Sequence, residues 1–471
     1  MIPVSIFAGV SVAVVGAGLS GLAAARALAQ GGARVVIWDD DEAAREDASA
    51  AGIEVVDLSG EDFAKFAALV LAPGIPLTHP EPHWSVRKAR AAGIEVIGDV
   101  ELFFRQQAKS GQACKVVAIT GTNGKSTTTA LTAHLLEATG KSTALGGNIG
   151  KPVLDLEPFG QGRIYVLELS SYQIDLTPSL KPNAAALLNI TPDHLDRHGS
   201  LVEYAGVKAQ IFRQLGAGAT AVIGVDDEPC RAIAEALSGP FAVKRVAVGQ
   251  AVENGVWAAN RVLVEMEGGK EVARADLTGI GSLRGAHNWQ NAAAAYALAR
   301  SQGVEAQALQ RGLKSFAGLA HRMEQVARIG KVLFVNDSKA TNADAAGKAL
   351  GSFEDIYWIV GGRAKEGGLG GLKPFYPRIS RAYLIGEAAD AFASEFGDTV
   401  PHIVCGTLDR AVAQAAADAD RSQAREPVVL LSPACASFDQ FDNFARRGDA
   451  FRERVMERDG VECVVGQDSA A

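Results

Sequence analysis

Residues 118–136, AITGTNGKSTTTALTAHLL, combine an apolar run, a glycine turn and a Lys-Ser-Thr triplet. The pattern predicts a buried strand and a turn that leads into a helix, whose main-chain N–H groups point at phosphate oxygens. In such a loop the Lys125 ammonium neutralises the β- and γ-phosphates, and the Ser126 hydroxyl binds Mg²⁺. The spacing departs from G-x-x-x-x-G-K-[ST], because Ile119 stands at the first glycine position. We interpret the segment as a shorter variant that binds a nucleoside triphosphate, rather than as a glycine-rich turn without a ligand.

Further metal ligands are expected after neighbouring strands, because phosphoryl transfer needs oxygen ligands for its cation. Glu168 ends the apolar run YVLELS, and the carboxyl ends of parallel strands face the ligand crevice. By itself it could equally be an exposed carboxylate. The segment NITPDHLDRHG follows another apolar run and packs four candidate ligands into six residues: Asp193, His194, Asp196 and His198. Such a cluster favours metal or substrate binding over an isolated structural histidine.

A second glycine loop opens the chain. Residues 14–28, VVGAGLSGLAAARAL, contain G-x-G-x-x-G at Gly16, Gly18 and Gly21. This pattern is typical of a nicotinamide or flavin site, and Asp39 stands about where a ribose-binding acid would. The residues alone therefore leave two interpretations open: a redox cofactor, or a different phosphate ligand in the same kind of loop.

Composition limits the classes of protein. The chain has 471 residues, 48% of them apolar, and a net charge of -8, which argues against extensive nucleic-acid binding. Its five cysteines are odd in number and in no C-x-x-C pair, which favours free thiols in a reducing cytosol. Residues 2–25 carry no charge, but four glycines and the lack of a basic residue before Arg26 favour a strand, turn and helix over a membrane segment.

The elements that must position these loops are strand-like runs alternating with helical patterns, which predict parallel sheets with crossover helices. The length suggests about three domains of roughly 150 residues. The polar break KSGQ before Cys114, and a new α/β unit from about residue 318, predict domains at 1–112, 113–317 and 318–471. Residues 250–284 predict an antiparallel addition to the central domain, and the tail GQDSAA is expected to be disordered.

Seven segments occur in this order along the chain: GTNGKSTTT, LELSSYQ, NITPDHLDRHGS, GAHNWQN, HRME, NDSKATN and LSPACASFDQFDNFARRGDAF. Together they resemble the Mur ligases over essentially the whole chain. The phosphate loop by itself fits any Mur ligase or a folylpolyglutamate synthetase, whereas NDSKATN with SPACASFDQF is similar to the members that add D-glutamate. The resemblance implies an α/β fold of three domains: an N-terminal Rossmann-like domain, a central P-loop ATPase domain with a mainly parallel sheet, and a C-terminal Rossmann-like domain.

The resemblance also implies roles for individual residues. It places uridine diphosphate, not NAD, in the first glycine loop, with substrate contacts from Gly18, Leu19, Ser20, Asp39, Asp40 and Asn148. Contacts to ATP are implied for Gly121, Thr122, Asn123, Gly124, Lys125, Ser126, Thr127, Asn291, Arg322 and Asp337. Contacts to D-glutamate are implied for Lys339, Thr341, Lys365, Ser437 and Phe438. After Lys365 the loop reads EGGLGGL, without the Asp-Phe pair that we expect there.

Two Mg²⁺ ions are implied, held by Ser126, Glu168, His194 and Lys208. The sequence alone predicts that Lys208 lies on a helix surface. The resemblance implies instead that CO₂ carbamylates it, since a carbamate is an anion with two hard oxygens and a lysine ammonium cannot bind Mg²⁺. Lys125, His194 and Lys208 are then the expected catalytic residues.

The implied activity is ATP-driven amide formation between the carboxylate of UDP-N-acetylmuramoyl-L-alanine and the amine of D-glutamate, through an acyl phosphate, in peptidoglycan precursor synthesis. The alternatives are another Mur ligase or a folylpolyglutamate synthetase with a different acceptor, a plain P-loop ATPase, and an NAD-dependent redox enzyme. We expect a cytoplasmic monomer that acts on small molecules, without a nucleic-acid or membrane partner.

Overall fold

The structure, a computed structural model, describes residues 1–364 and 367–463. It contains three sheets that follow one another along the chain, each covered by helices, so the predicted α/β fold is confirmed. Contacts between Cα atoms divide the chain into two compact units. Unit 1 comprises residues 1–278 and 289–313, and unit 2 comprises 279–288 and the described residues from 314 onward. The predicted tail 466–471 lies outside the described residues.

The first sheet has five parallel strands in the order β3-β2-β1-β4-β5. The strands are β1 Ser11–Val15, β2 Arg34–Trp38, β3 Glu54–Val55, β4 Ala68–Leu71 and β5 Glu95–Ile97. The helices are α1 Leu19–Gln30, α2 Glu42–Ala50, α3 Trp84–Ala91 and α4 Asp99–Ser110. The uncharged stretch 2–25 therefore folds as β1, a glycine turn and the start of α1. Across the described ranges, no helix combines the length and the apolar composition needed to cross a bilayer.

The second sheet is also in unit 1 and has nine strands in the order β14-β13-β12-β11-β10-β9-β6-β8-β7. The strands are β6 Lys115–Thr120, β7 Thr143–Gly147, β8 Ile164–Glu168, β9 Ala184–Leu187, β10 Thr220–Gly224, β11 Ala242–Val248, β12 Gly255–Ala259, β13 Val262–Glu267 and β14 Lys270–Asp276. Only the β12-β13-β14 pairings are antiparallel among the described strands of this sheet, as predicted for residues 250–284.

Seven helices belong to this part of the chain: α5 Lys125–Glu137, α6 Ser171–Asp175, α7 Leu195–His198, α8 Leu201–Ala209, α9 Glu228–Ala236, α10 Ala286–Ser301 and α11 Ala306–Ser315. Strands β6, β8 and β9 are buried on both faces, except where Lys115 begins β6. Full burial explains their continuous apolar sequences. Because these three strands are neighbours and parallel, their carboxyl ends bring the phosphate loop, Glu168 and the segment after residue 187 to one edge of the sheet.

The third sheet is in unit 2 and has the order β19-β18-β17-β20-β16-β15-β21. Its strands are β15 Glu324–Ile329, β16 Val332–Asn336, β17 Asp355–Gly361, β18 Ile379–Ile385, β19 His402–Gly406, β20 Pro427–Leu431 and β21 Val461–Cys463. Its helices are α12 Ala343–Leu350, α13 Ala389–Phe396, α14 Leu408–Asp420 and α15 Phe444–Met456. Parallel pairing brings the carboxyl ends of β16, β17 and β20 together, and the NDSKATN and SPACASF segments follow β16 and β20.

Candidate functional site

The phosphate loop joins the buried strand β6 to helix α5, as predicted. Gly124 caps the helix with a φ of 82°, and a methyl group there would overlap the Asn291 side chain. Glycine is therefore needed both for its backbone conformation and for its lack of a side chain. The Lys125 ammonium donates to the main-chain oxygens of Gly121 at 3.0 Å and Thr122 at 2.9 Å. It thus lies over the loop that would hold a phosphate.

Asn189, two residues after the end of β9, fixes the shape of this loop. Its side-chain oxygen accepts from the N–H of Asn123 at 2.8 Å, and its amide nitrogen donates to the oxygen of the same residue at 3.1 Å. The Asn189 main-chain oxygen accepts from the N–H of Thr122 at 2.9 Å. We did not predict this role, although the signal was present, because Asn189 is the first polar residue after a buried strand of the same sheet.

Glu168 ends β8 with 2% of its surface exposed, so the predicted position at the sheet edge is correct and the alternative of an exposed carboxylate is wrong. Its Oε1 accepts from the Asn148 amide at 2.9 Å. Its Oε2 is buried and has no hydrogen-bond partner. A buried carboxylate oxygen without a donor fits a cation ligand, since an unpaired buried charge is otherwise strongly unfavourable.

Lys208 corrects the prediction of a surface lysine. It lies on α8 with 1% of its surface exposed, and its ammonium nitrogen is 2.9 Å from the Gly121 oxygen and 3.3 Å from the Thr120 hydroxyl. Burial, followed by repulsion from Lys125, lowers the pKa of Lys208 to about 7. Helical periodicity missed this position because α8 carries few strongly polar residues to mark its outer face. With this pKa a substantial fraction of Lys208 is neutral near pH 7, and a neutral lysine amine can act as a nucleophile.

The two histidines of the DHLDRH segment have different environments. His194 adopts a left-handed backbone with a φ of 53°, and its half-exposed ring lies 3.4 Å from the Asp193 carboxylate. His198 is buried and bonds the Ser171 hydroxyl at 2.9 Å, and its burial lowers its pKa to about 4. His198 is therefore a core residue, and of the two histidines only His194 is accessible to a ligand. Over residues 1–364 and 367–463, no group of three His, Cys, Asp or Glu residues is placed to bind a metal.

Asp39, the acid that the G-x-G-x-x-G pattern places at the ribose-binding position, holds the first glycine loop in place. Asp39 accepts from the N–H of Ala17 at 2.7 Å and from the N–H of Asp41 at 2.9 Å. Asp40 instead accepts from Trp38 Nε1 at 3.0 Å and from Trp84 Nε1 at 3.3 Å. Leu19 is 76% exposed. Gly18, at the start of α1, is also exposed, and Ser20 is half-buried.

In unit 2, Asp337 follows β16 and is 5% exposed. Burial raises its pKa to about 7, although its carboxylate accepts from the Ser432 hydroxyl at 2.8 Å and from the N–H of Met323 at 3.1 Å. Arg322 lies close enough to act electrostatically on this carboxylate, and its Nε is buried without a partner. Two of the predicted nucleotide contacts therefore lie together within unit 2.

The predicted amino-acid contacts on unit 2 lie on the loops after β16 and β20. The Lys339 ammonium is 5.4 Å from the centre of the Phe444 ring, and Thr341 is two residues further along the same loop. Ser437 is 2% exposed, whereas Phe438 is 64% exposed. Lys365 lies outside the described residues. The contact of Phe444 with Lys339 was not predicted, because it depends on the start of α15 reaching the loop after β16.

Arg447 ties these two loops together. It is 1% exposed and donates to the Ser338 hydroxyl at 3.0 Å, to the Ser338 oxygen at 2.9 Å and to the Cys435 oxygen at 3.1 Å. Burial lowers its pKa to about 10. The sequence showed an arginine on a helix, but gave no sign that it would be buried against main-chain oxygens.

Comparison with known proteins gives consistent results along the chain. Family models match in three places: Mur ligase MurD-like N-terminal domain at residues 10–98, Mur ligase middle domain at 119–299, and Mur ligase glutamate ligase domain at 321–435. The chain is 55% identical over 463 residues to UDP-N-acetylmuramoylalanine--D-glutamate ligase of Brucella abortus, covering 98% of both chains. It is 55% identical over 459 residues to the enzyme of the same name from Caulobacter vibrioides, covering 97% of both.

Solved structures support the fold. The crystal structure of UDP-N-acetylmuramate-alanine ligase MurC from Thermotoga maritima aligns with a TM-score of 0.58 at 18% identity, covering 95% of this chain and 99% of that one. A structure of MurF from Acinetobacter baumannii aligns with a TM-score of 0.56 at 19% identity, covering 87% and 88%. The shared fold is the three-domain α/β architecture.

Proposed function

This chain belongs to the Mur ligase family, and we propose that it joins D-glutamate to UDP-N-acetylmuramoyl-L-alanine in an ATP-dependent reaction of peptidoglycan precursor synthesis. The observation that carries this conclusion is 55% identity over 98% of the chain to a relative named for that reaction. The phosphate loop, and the buried Glu168 carboxylate at the same edge of the sheet, fit a ligase that uses ATP. Family membership also favours uridine diphosphate over NAD in the first glycine loop.

The reaction has two steps. A substrate carboxylate oxygen attacks the γ-phosphorus of ATP, so that a P–O bond forms, the bond to ADP breaks and an acyl phosphate results. The neutral amine of D-glutamate then attacks the acyl carbon, and inorganic phosphate leaves with the electron pair of the broken C–O bond while the amine loses a proton. Because no side chain needs to form a covalent bond to substrate, catalysis depends on positioning and on stabilisation of negative charge.

The phosphate loop is the proposed ATP site, with contacts from Gly121, Thr122, Asn123, Gly124, Lys125, Ser126 and Thr127. Lys125 already lies over the loop, where its ammonium would stabilise charge on the transferred phosphoryl group. The buried, unpartnered Oε2 of Glu168 and the nearly buried Ser126 hydroxyl fit a Mg²⁺ site, and His194 is the proposed ligand of a second ion. Bound Mg²⁺ would neutralise the phosphate oxygens.

Lys208 is proposed to react with CO₂. Its neutral amine would attack the carbon of CO₂ and lose one proton, giving a carbamate with two oxygens. The low pKa of the buried Lys208 amine favours this step, because an ammonium has no free electron pair. The carbamate is also proposed to bind Mg²⁺. The buried lysine beside the phosphate loop is the observation that supports this proposal.

The remaining roles are also proposals. Gly18, Leu19, Ser20, Asp39, Asp40 and Asn148 would bind the uridine diphosphate substrate, and Asn291, Arg322 and Asp337 would bind nucleotide. Lys339, Thr341, Ser437 and Phe438, with Lys365, would bind D-glutamate. We also propose domains at 1–112, 113–317 and 318–471, a monomeric state and a cytoplasmic location, which light scattering and cell fractionation would test.

The test is phosphate release from ATP with UDP-N-acetylmuramoyl-L-alanine and one of four acceptors: D-glutamate, L-alanine, meso-diaminopimelate or L-lysine. We expect release that requires both the nucleotide substrate and D-glutamate. Release with another acceptor would assign the chain to a different ligase of the family. Release without any acceptor would contradict the ligase mechanism and leave a plain ATPase.

A further inference from the structure

Asp99 is a buried acid that none of the roles above uses. It is the first residue of α4, is 3% exposed, and both of its carboxyl oxygens are shielded from solvent without a hydrogen bond of good geometry. The polar groups that face it are the Ser20 hydroxyl and the main-chain N–H groups of Asp99 and Val100. Across the described residues, no charged side chain acts on this carboxyl.

Ser20 connects Asp99 to the first glycine loop. It is the second residue of α1, directly after the glycine turn, and α1 packs against α4. In the proposed function this loop binds a diphosphate, so a buried carboxylate behind Ser20 would place negative charge near a ligand of the same sign. Burial raises the pKa of Asp99 to about 6, which makes the neutral acid accessible near physiological pH.

We propose that Asp99 is a positioning residue that acts as a neutral acid: its O–H donates to the Ser20 hydroxyl oxygen, which directs the Ser20 hydrogen at a phosphate oxygen of the ligand. When Asp99 ionises, the Ser20 hydrogen turns toward the carboxylate and the ligand loses a donor. The loop would therefore bind its diphosphate more tightly when Asp99 is protonated. This inference rests on the proposed function of the first glycine loop.

Calorimetric titration of the full chain with UDP-N-acetylmuramoyl-L-alanine, without ATP, tests it at pH values from 6 to 8. The diphosphate diester does not titrate in this range, so changes in Kd report on the protein. We expect Kd to rise at least fivefold between pH 6 and pH 8, and by about 50-fold if only the protonated form binds. Asp99→Asn should bind at all pH values with a much smaller slope, because its amide donates to Ser20 without titrating.

Two further variants separate positioning from folding. Ser20→Ala should bind weakly and without the slope, whereas Asp47→Asn, an exposed acid on α2, should behave as the wild type. Melting temperatures of all variants would show whether each is folded. Tight binding that is independent of pH, or a slope that survives in Asp99→Asn, would overturn the inference while leaving the ligase assignment intact. No binding by the wild type at any pH would overturn the proposed function and this inference with it.

Discussion

The Lys208 ammonium nitrogen donates to the main-chain oxygen of Gly121 at 2.9 Å, so a buried lysine lies directly behind the phosphate loop. Below pH 7 this amine is mostly protonated, and above pH 7 it is mostly neutral, since its pKa is about 7. We therefore expect Lys208 to react with CO₂ at physiological pH, whereas an exposed lysine, with a pKa of about 10.4, remains protonated.

Lys208→Met is expected to lower kcat by at least about 100-fold, because the variant cannot form the carbamate that would bind Mg²⁺. With ¹³C-labelled bicarbonate, NMR should show a carbamate carbon in the wild type that is stronger at pH 8 than at pH 6. The signal should be absent in Lys208→Met and retained in Lys270→Met, which alters an exposed lysine on β14. Normal turnover by Lys208→Met would contradict the assignment.

The same lysine predicts a pH dependence of stability. Folding lowers the pKa of Lys208 from 10.5 to about 7, so between these pH values the unfolded state binds the proton more tightly. The folded state therefore loses stability as pH falls from 10.5 to 7, and this group causes no further loss of stability below pH 7. In CO₂-free buffer the wild type should therefore lose stability as pH is lowered from 10 to 7, whereas Lys208→Met has no such group. The melting temperature of Lys208→Met minus that of the wild type should increase as pH is lowered over this range. The underlying slope is at most about 1.4 kcal/mol per pH unit. A difference that does not change with pH would show that the buried amine stays charged.

Gly124 allows a matched comparison with Gly140, the last residue of the turn after α5. Both have a positive φ, 82° and 78°, but only at Gly124 does an added methyl group meet another side chain. Gly140→Ala should cost about 1 kcal/mol of stability from backbone strain and leave ATP affinity unchanged. Gly124→Ala should displace Asn291 and weaken ATP binding at least tenfold, measured by titration with a fluorescent ATP analogue. Equal affinities in the two variants would contradict the role of this contact.

Much of the architecture could be predicted from the sequence, because parallel strands are continuous apolar runs and glycine turns mark their ends. The position of Glu168 at the sheet edge was predicted correctly for the same reason, because Glu168 is the last residue of the apolar run that forms β8. The burial of Lys208 and Arg447 could not be predicted. Each lies on a helix whose own pattern suggests a surface position, and each is buried against a loop from a distant part of the sequence, the loop at Gly121 for Lys208 and the loop at Ser338 for Arg447.

Arg447 should affect amino-acid binding without contacting the nucleotide substrate. Its Nε donates to the Ser338 hydroxyl, while its Nη2 donates to the main-chain oxygens of Ser338 and Cys435. A lysine presents a single nitrogen and therefore cannot make both sets of bonds. Arg447→Lys is expected to raise the KM for D-glutamate at least tenfold and leave the KM for UDP-N-acetylmuramoyl-L-alanine within about twofold. Arg446→Lys, which alters the exposed arginine next to Arg447 on α15, is the control. An equal rise in both KM values would indicate general loss of structure.

Glu168→Gln tests the proposed cation site without removing the hydrogen bond to Asn148, because the amide oxygen can still accept from the Asn148 side chain at the observed 2.9 Å. The substitution removes the charge from the buried, unpartnered Oε2 position. We expect kcat to fall at least about 100-fold and the Mg²⁺ concentration for half-maximal rate to rise, since a neutral amide is a weaker ligand for a hard cation. Steady-state rates over a range of Mg²⁺ concentrations, with the melting temperature as a measure of folding, would establish this. Unchanged Mg²⁺ dependence would mean that Glu168 orients Asn148 and does not bind the ion.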